Sequence, residues 1–176
     1  FVYFVVAFGM KIDILSSPFS IPIIIPSSLF IMLITILYGK TQSIILSIVM
    51  SLGVLNACDW ALEPFIYTLA TSLCSVVIVH KIEKRIDLVF ASIVLALYNI
   101  VILVLIIVIF NETFTNMGRS LVGVAVNGFI SGILTLGFLT PLEMILNTAS
   151  VFRLMDLSDL NNPLMQKMRV NANGTN

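Results

Sequence analysis

The chain has 176 residues, 59% of them apolar and 10% charged, and its mean hydropathy is +1.12; ordinary soluble domains are about 45–50% apolar and about 25% charged. This composition excludes a water-soluble globular domain. Nine Lys and Arg balance nine Asp and Glu, so there is no basic surplus for a nucleic-acid polymer and no acidic tail.

Phe1 to Met10 is apolar with no basic stretch before it, which is not the form of a signal peptide. It is expected to be the outer end of a helix belonging to a longer protein. Beyond it, charges divide the chain into stretches of about the 20 residues that a membrane-spanning helix requires. The expected spans run from Pro22 to Tyr38, Thr41 to Asn56, Pro64 to Val79, Leu88 to Phe110 and Ser120 to Leu139. Pro22 and Pro26 suit the first turns of their helix, where a missing N–H costs little. Helices apolar on all sides satisfy their own backbone in a bilayer and would aggregate in water. The expected architecture is therefore all-α, a polytopic transmembrane bundle over residues 1–147 with a cytoplasmic helical connector over 148–176, and the lipid bilayer is its first partner.

Orientation follows from basic residues, which are retained on the cytoplasmic side. Lys40, Lys81, Lys84, Arg85, Arg153, Lys167 and Arg169 fall on one side of the alternating loops, and Lys11 and Arg119 on the other. The tail is expected in the cytoplasm and the chain in the inner (plasma) membrane.

Asn99 and Asn127 fall inside expected spans, where an amide needs a partner. They are candidates for helix-to-helix hydrogen bonding, with a ligand or ion contact as the alternative. Gly128 and Gly132 place two bare backbone positions on one helix face and suit close packing. Thr140-Pro141-Leu142-Glu143 has the form of a capping box, with Thr140 as N-cap and Glu143 reaching back, so the membrane helix is expected to end or bend near Phe138 to Thr140 and a new helix to begin. The alternative makes Glu143 an intramembrane carboxylate for a proton or cation, against which stands its place at a boundary where it need not be desolvated. The lone His80 is expected to be a solvated loop residue. Cys58 in a loop and Cys74 about 15 Å deep in a helix are too far apart for a disulfide. No phosphate-binding loop, carboxylate pair or Cys/His cluster is present, so no catalytic, cofactor or metal residue is assigned.

In the tail, Val151, Phe152, Leu154, Met155 and Leu157 suit an amphipathic helix, and Asn162-Pro163 reads as the start of another. The ordered series Asn127-Gly128…Gly132, Leu136-Gly137…Pro141-Leu142-Glu143, Phe152-Arg153-Leu154-Met155-Asp156-Leu157, Asn161-Asn162-Pro163-Leu164 and Ala172…Gly174-Thr175 resembles the membrane-to-cytosol junction of bacterial seven-transmembrane receptors with an intracellular HD-type phosphohydrolase domain. That family includes membrane-bound cyclic di-AMP phosphodiesterases. Asn173 and Asn176 depart from the family's usual Pro and Tyr.

The resemblance implies that the chain holds the last five helices, the end of the one before them, and the connector, with Arg153, Asn162 and Pro163 among its residues. It also implies an extracellular sensing domain before the helices and an HD domain after Asn176 carrying a divalent metal pair, Mn or Fe, none of whose ligands corresponds to a residue here. A homo-oligomer is compatible with it. The function so implied is membrane anchor and signal relay for a hydrolase of cyclic di-AMP. The competing reading is a transporter or channel-like subunit, which would favour charged residues or interrupted helices at mid-bilayer.

Overall fold

The computed structural model describes residues 26–82, 84–110 and 117–146. Five α-helices make up these residues: α1 (Ser27–Tyr38), α2 (Lys40–Ala57), α3 (Leu62–His80), α4 (Asp87–Phe110) and α5 (Met117–Leu146). Four stretches, Lys40–Ala57, Leu62–His80, Asp87–Phe110 and Ser120–Ile145, are long and apolar enough to cross a membrane. The all-α bundle read from composition is what the chain forms. The connector residues Arg153, Asn162 and Pro163, and the boundary at 147/148, lie outside the described residues.

The helix bounds follow the sequence pattern with instructive exceptions. Pro26 stands just before α1 rather than inside its first turn, and its carbonyl accepts a hydrogen bond from the Leu29 N–H at 3.1 Å. Lys40, expected in a loop, is the first residue of α2, because the whole link from α1 is Gly39. That residue has φ +93° and ψ −179°, a conformation essentially restricted to glycine. His80 closes α3 as its last, exposed residue rather than lying in the loop.

The largest departure is at the end of α5. The helix runs on through Thr140 and Pro141 to Leu146, so the expected capping box does not form. Proline removes one backbone hydrogen bond from a helix interior, a loss that membrane helices tolerate when neighbours hold the chain. Here a tertiary partner for Glu143, described below, takes the place of the local cap.

α5 packs most extensively on α4, and α2 on α3; α1 sits among α2, α3 and α5, and α3 also contacts α4. Apolar side chains fill two layers. One, towards the Arg85 end, gathers Leu29, Met32, Leu33 and Ile36 of α1 with Val79, Leu88, Ala91, Leu95 and Leu139. The other, towards the Trp60 end, gathers Tyr67, Ile102, Leu103, Ile106 and Val124. The faces of α4 and α5 turned away from the bundle carry Phe90, Leu97, Leu105, Ile109, Val122, Phe129, Ile133 and Phe138, all exposed, which is the distribution expected where lipid is the solvent.

Candidate functional site

Between the two apolar layers lies a polar one. Asn99 at the middle of α4 is 1% exposed, and its Nδ2 donates to the Val124 carbonyl of α5 at 3.3 Å. Its Oδ1 is buried without a hydrogen-bond partner. One turn along, Asn127 Oδ1 and the Asn127 carbonyl lie 3.2 and 2.7 Å from the Ser131 hydroxyl, which donates within its own helix. The same Ser131 oxygen accepts a hydrogen bond from the Ser28 hydroxyl of α1 at 3.0 Å. Thr135 follows on this face; it donates to the Ser131 carbonyl at 2.7 Å and lies 3.7 Å from Met32 Sδ.

Gly128 and Gly132 explain how α4 and α5 come so close. A Cβ built on Gly128 would lie 2.6 Å from the Ala96 Cα and 3.0 Å from Asn99 Nδ2, and one on Gly132 would collide with the Ser92 Cβ and sit 2.9 Å from its Cα. No side chain larger than hydrogen fits at either position without moving the backbone of α4. The approach puts the Val124 carbonyl within reach of Asn99, so glycine spacing and amide form one device rather than two. Gly137, on the same helix, faces open space and takes no part.

The second polar feature lies at the Arg85 end. Arg85, in the α3–α4 turn, donates from Nη1 to Thr140 Oγ1 at 3.2 Å and from Nη2 to Glu143 Oε2 at 3.4 Å. The Glu143 side chain is 5% exposed and that of Arg85 is 41% exposed. The sequence expectation that Glu143 need not be desolvated is thus corrected: the carboxylate is buried, with a guanidinium as counter-charge. Neither group is fully satisfied, since Glu143 Oε1 and Arg85 Nε are buried and without partners.

Sequence reasoning singled out Asn99, Asn127, Gly128 and Gly132, and the structure brings Asn99 and Gly128 into one contact, with Gly132 a turn away and Asn127 on the adjoining face towards α1. It missed Ser28, Ser92, Ser131 and Thr135, which look unremarkable singly, and it missed Arg85 as the partner of Glu143. The signal for the last was present: opposite charges, both assigned to the same end of the bundle.

Among the described residues no three His, Cys, Asp or Glu side chains come together in a way that could hold a metal ion. These residues do not fit a metal pair. Cys58 and Cys74 are free thiols. Charged groups of the described helices stand near helix ends, as Lys40, Glu63, Asp87 and Glu143 do, leaving amides and hydroxyls in the middle.

An apolar-faced bundle with a hydrogen-bonded polar layer and charges only at its ends defines a polytopic integral membrane protein. The profile of the family described as 7TM receptor with intracellular HD hydrolase matches residues 1–150. The chain belongs to that family and represents its transmembrane receptor portion. Comparison with curated proteins and with solved structures gave no match.

Proposed function

We propose that this chain is the membrane anchor and signal relay of a receptor-type HD phosphohydrolase, and that the enzyme it serves hydrolyses cyclic di-AMP. The observation that carries the proposal is the family match over residues 1–150. The junction motifs from Asn127 to Thr175 support the finer reading, since they are ordered as in the receptor family that includes membrane-bound cyclic di-AMP phosphodiesterases. In this reading the sensing domain lies outside the cell, the tail lies in the cytoplasm of a cell bounded by its inner membrane, and the Mn or Fe pair belongs to the HD domain.

A relay requires two packings of the helices that a signal stabilises unequally. α5 is the element suited to it. It contacts α1 and α4 through the polar layer and reaches the Arg85 end as one helix, so a displacement at its outer half reaches Glu143 without crossing a loop. The transporter reading would draw support from a charged residue at mid-bilayer; the described polar residues there, Asn99, Asn127, Ser131 and Thr135, are uncharged.

The test is to express the protein with the sequence that follows Asn176 in its gene. A histidine pair is expected almost at once, with a His-Asp pair some tens of residues later. Metal-dependent hydrolysis of cyclic di-AMP, lost when the first of those histidines is replaced, is the expected outcome. A continuation without histidines would overturn the hydrolase assignment, and hydrolysis of another nucleotide only would overturn the choice of cyclic di-AMP.

A further inference from the structure

We propose that the Arg85–Glu143 pair is a breakable latch, which clamps the last turns of α5 to the α3–α4 turn and, when released, lets those turns pivot at Gly137–Pro141. The proposal rests on the relay reading above and specifies where in the chain the relay acts.

Two independent features of the structure carry it. The first is the incompleteness of the pair. A guanidinium and a carboxylate hold most firmly as a two-bonded fork, yet here one long bond of 3.4 Å joins Nη2 to Oε2, while Glu143 Oε1 and Arg85 Nε are buried with no partner. A buried carboxylate with half its acceptor capacity unused keeps much of its desolvation cost. A released state, in which Glu143 turns to water and Arg85 to the polar boundary, removes that cost. Arg85, already 41% exposed, needs little movement to get there.

The second feature is a soft joint in the right place. Pro141 lies inside α5 and has no N–H to give to the carbonyl of Gly137, four residues earlier. Gly137 meets nothing within 4 Å where a side chain would be, unlike Gly128 and Gly132. One missing backbone bond and one open glycine thus coincide within the two turns before Glu143. Sharp changes of helix direction arise at such places, and hinges are commonly a few residues that absorb the change. On the near side of the joint, Ser131 and Thr135 fix α5 to α1; Arg85 bonds to Thr140 within the joint and to Glu143 beyond it. A pivot between a firm attachment and a weak one moves on the weak side, which is the side leading to the connector.

The experiment uses the full protein with its following domain in lipid nanodiscs and compares wild type with Glu143→Gln, Arg85→Gln and the reversal Arg85→Glu with Glu143→Arg. Amide hydrogen exchange over residues 138–146 reads the latch directly. Each single variant is expected to speed exchange there by about fivefold, the size appropriate to the loss of one hydrogen bond, with no change over residues 120–135, and the reversal is expected to bring it back towards wild type. Nucleotide hydrolysis should shift in the same direction in both single variants and return in the reversal. Unchanged exchange in both single variants, or a reversal that exchanges as fast as they do, would overturn the latch. Faster exchange with identical hydrolysis in all four proteins would overturn its link to output. If the wild-type protein hydrolyses no cyclic dinucleotide, the hydrolase reading fails, and the exchange data still decide whether the latch exists.

Discussion

Gly132 lies so close to Ser92 that a single added carbon would collide with the serine side chain and approach its Cα to 2.9 Å. Gly132→Ala, and likewise Gly128→Ala against Ala96, should therefore force α4 and α5 apart. Overpacking of this kind costs about 1–3 kcal/mol. Gly137→Ala, into open space, should be neutral or slightly stabilising, because alanine is the better helix former. Thermal unfolding of the detergent-solubilised protein checks the contrast, and equal effects at positions 132 and 137 would remove the packing argument.

The hydrogen bond from Ser28 to Ser131 joins residues 103 positions apart at 3.0 Å. In a double-mutant cycle with Ser28→Ala and Ser131→Ala the coupling should be about 0.6–1.7 kcal/mol, the range found for polar contacts within membranes. Zero coupling would mean that the serines merely fit together.

Orientation is tested by labelling. In a background without Cys58 and Cys74, cysteines at positions 59 and 115 should react with an impermeant thiol reagent in intact cells, and cysteines at 84 and 167 only after permeabilisation. Labelling at 84 and not at 59 would invert the topology argued from the basic residues.

The Cys58 thiol, 2% exposed in the turn after α2, is pushed up by burial, and secondarily by the Asp59 carboxylate, from its usual 9.0 to about 11. The thiolate is the reactive form, so at pH 8 Cys58 should alkylate far more slowly in the folded protein than after unfolding. A thiol whose folded value is raised stabilises fully below its unfolded value and loses that contribution as pH climbs through the folded one. Stability should accordingly fall between about pH 9 and pH 11, and Cys58→Ser should flatten that fall. Equal alkylation rates folded and unfolded would contradict the burial.

The spans were legible because hydropathy and the position of charges are local properties, and they locate α2, α3, α4 and most of α5 to within a few residues. Asn99, Gly128 and Gly132 were legible for a similar reason: an amide or a paired glycine in an apolar helix has few uses other than contact. Thr140 to Glu143 misled because a capping box is also local, and its residues fit that motif whether or not the chain uses it. The partner that Glu143 meets instead is Arg85, 58 positions away. Ser28, Ser92, Ser131 and Thr135 carry no local mark, since a hydroxyl in a membrane helix can always bond back to its own carbonyls.

That last habit bears on how the bundle yields to force. Along the buried face of α2, Ser43, Ser47 and Ser51 give their protons to carbonyls of Gly39, Ser43 and Ile48, within or at the start of their own helix, and on α3 Thr68, Thr71 and Ser75 do the same with Pro64, Thr68 and Ser72. These hydroxyls spend their bonding at home, so a shift of α2 along α3 breaks none of these six bonds. A shift of α5 past α1 severs Ser28 from Ser131. The molecule is thus cross-tied unevenly: these six hydroxyls add no tie across the seam of α2 and α3, whereas Ser28 and Ser131 tie α1 to α5.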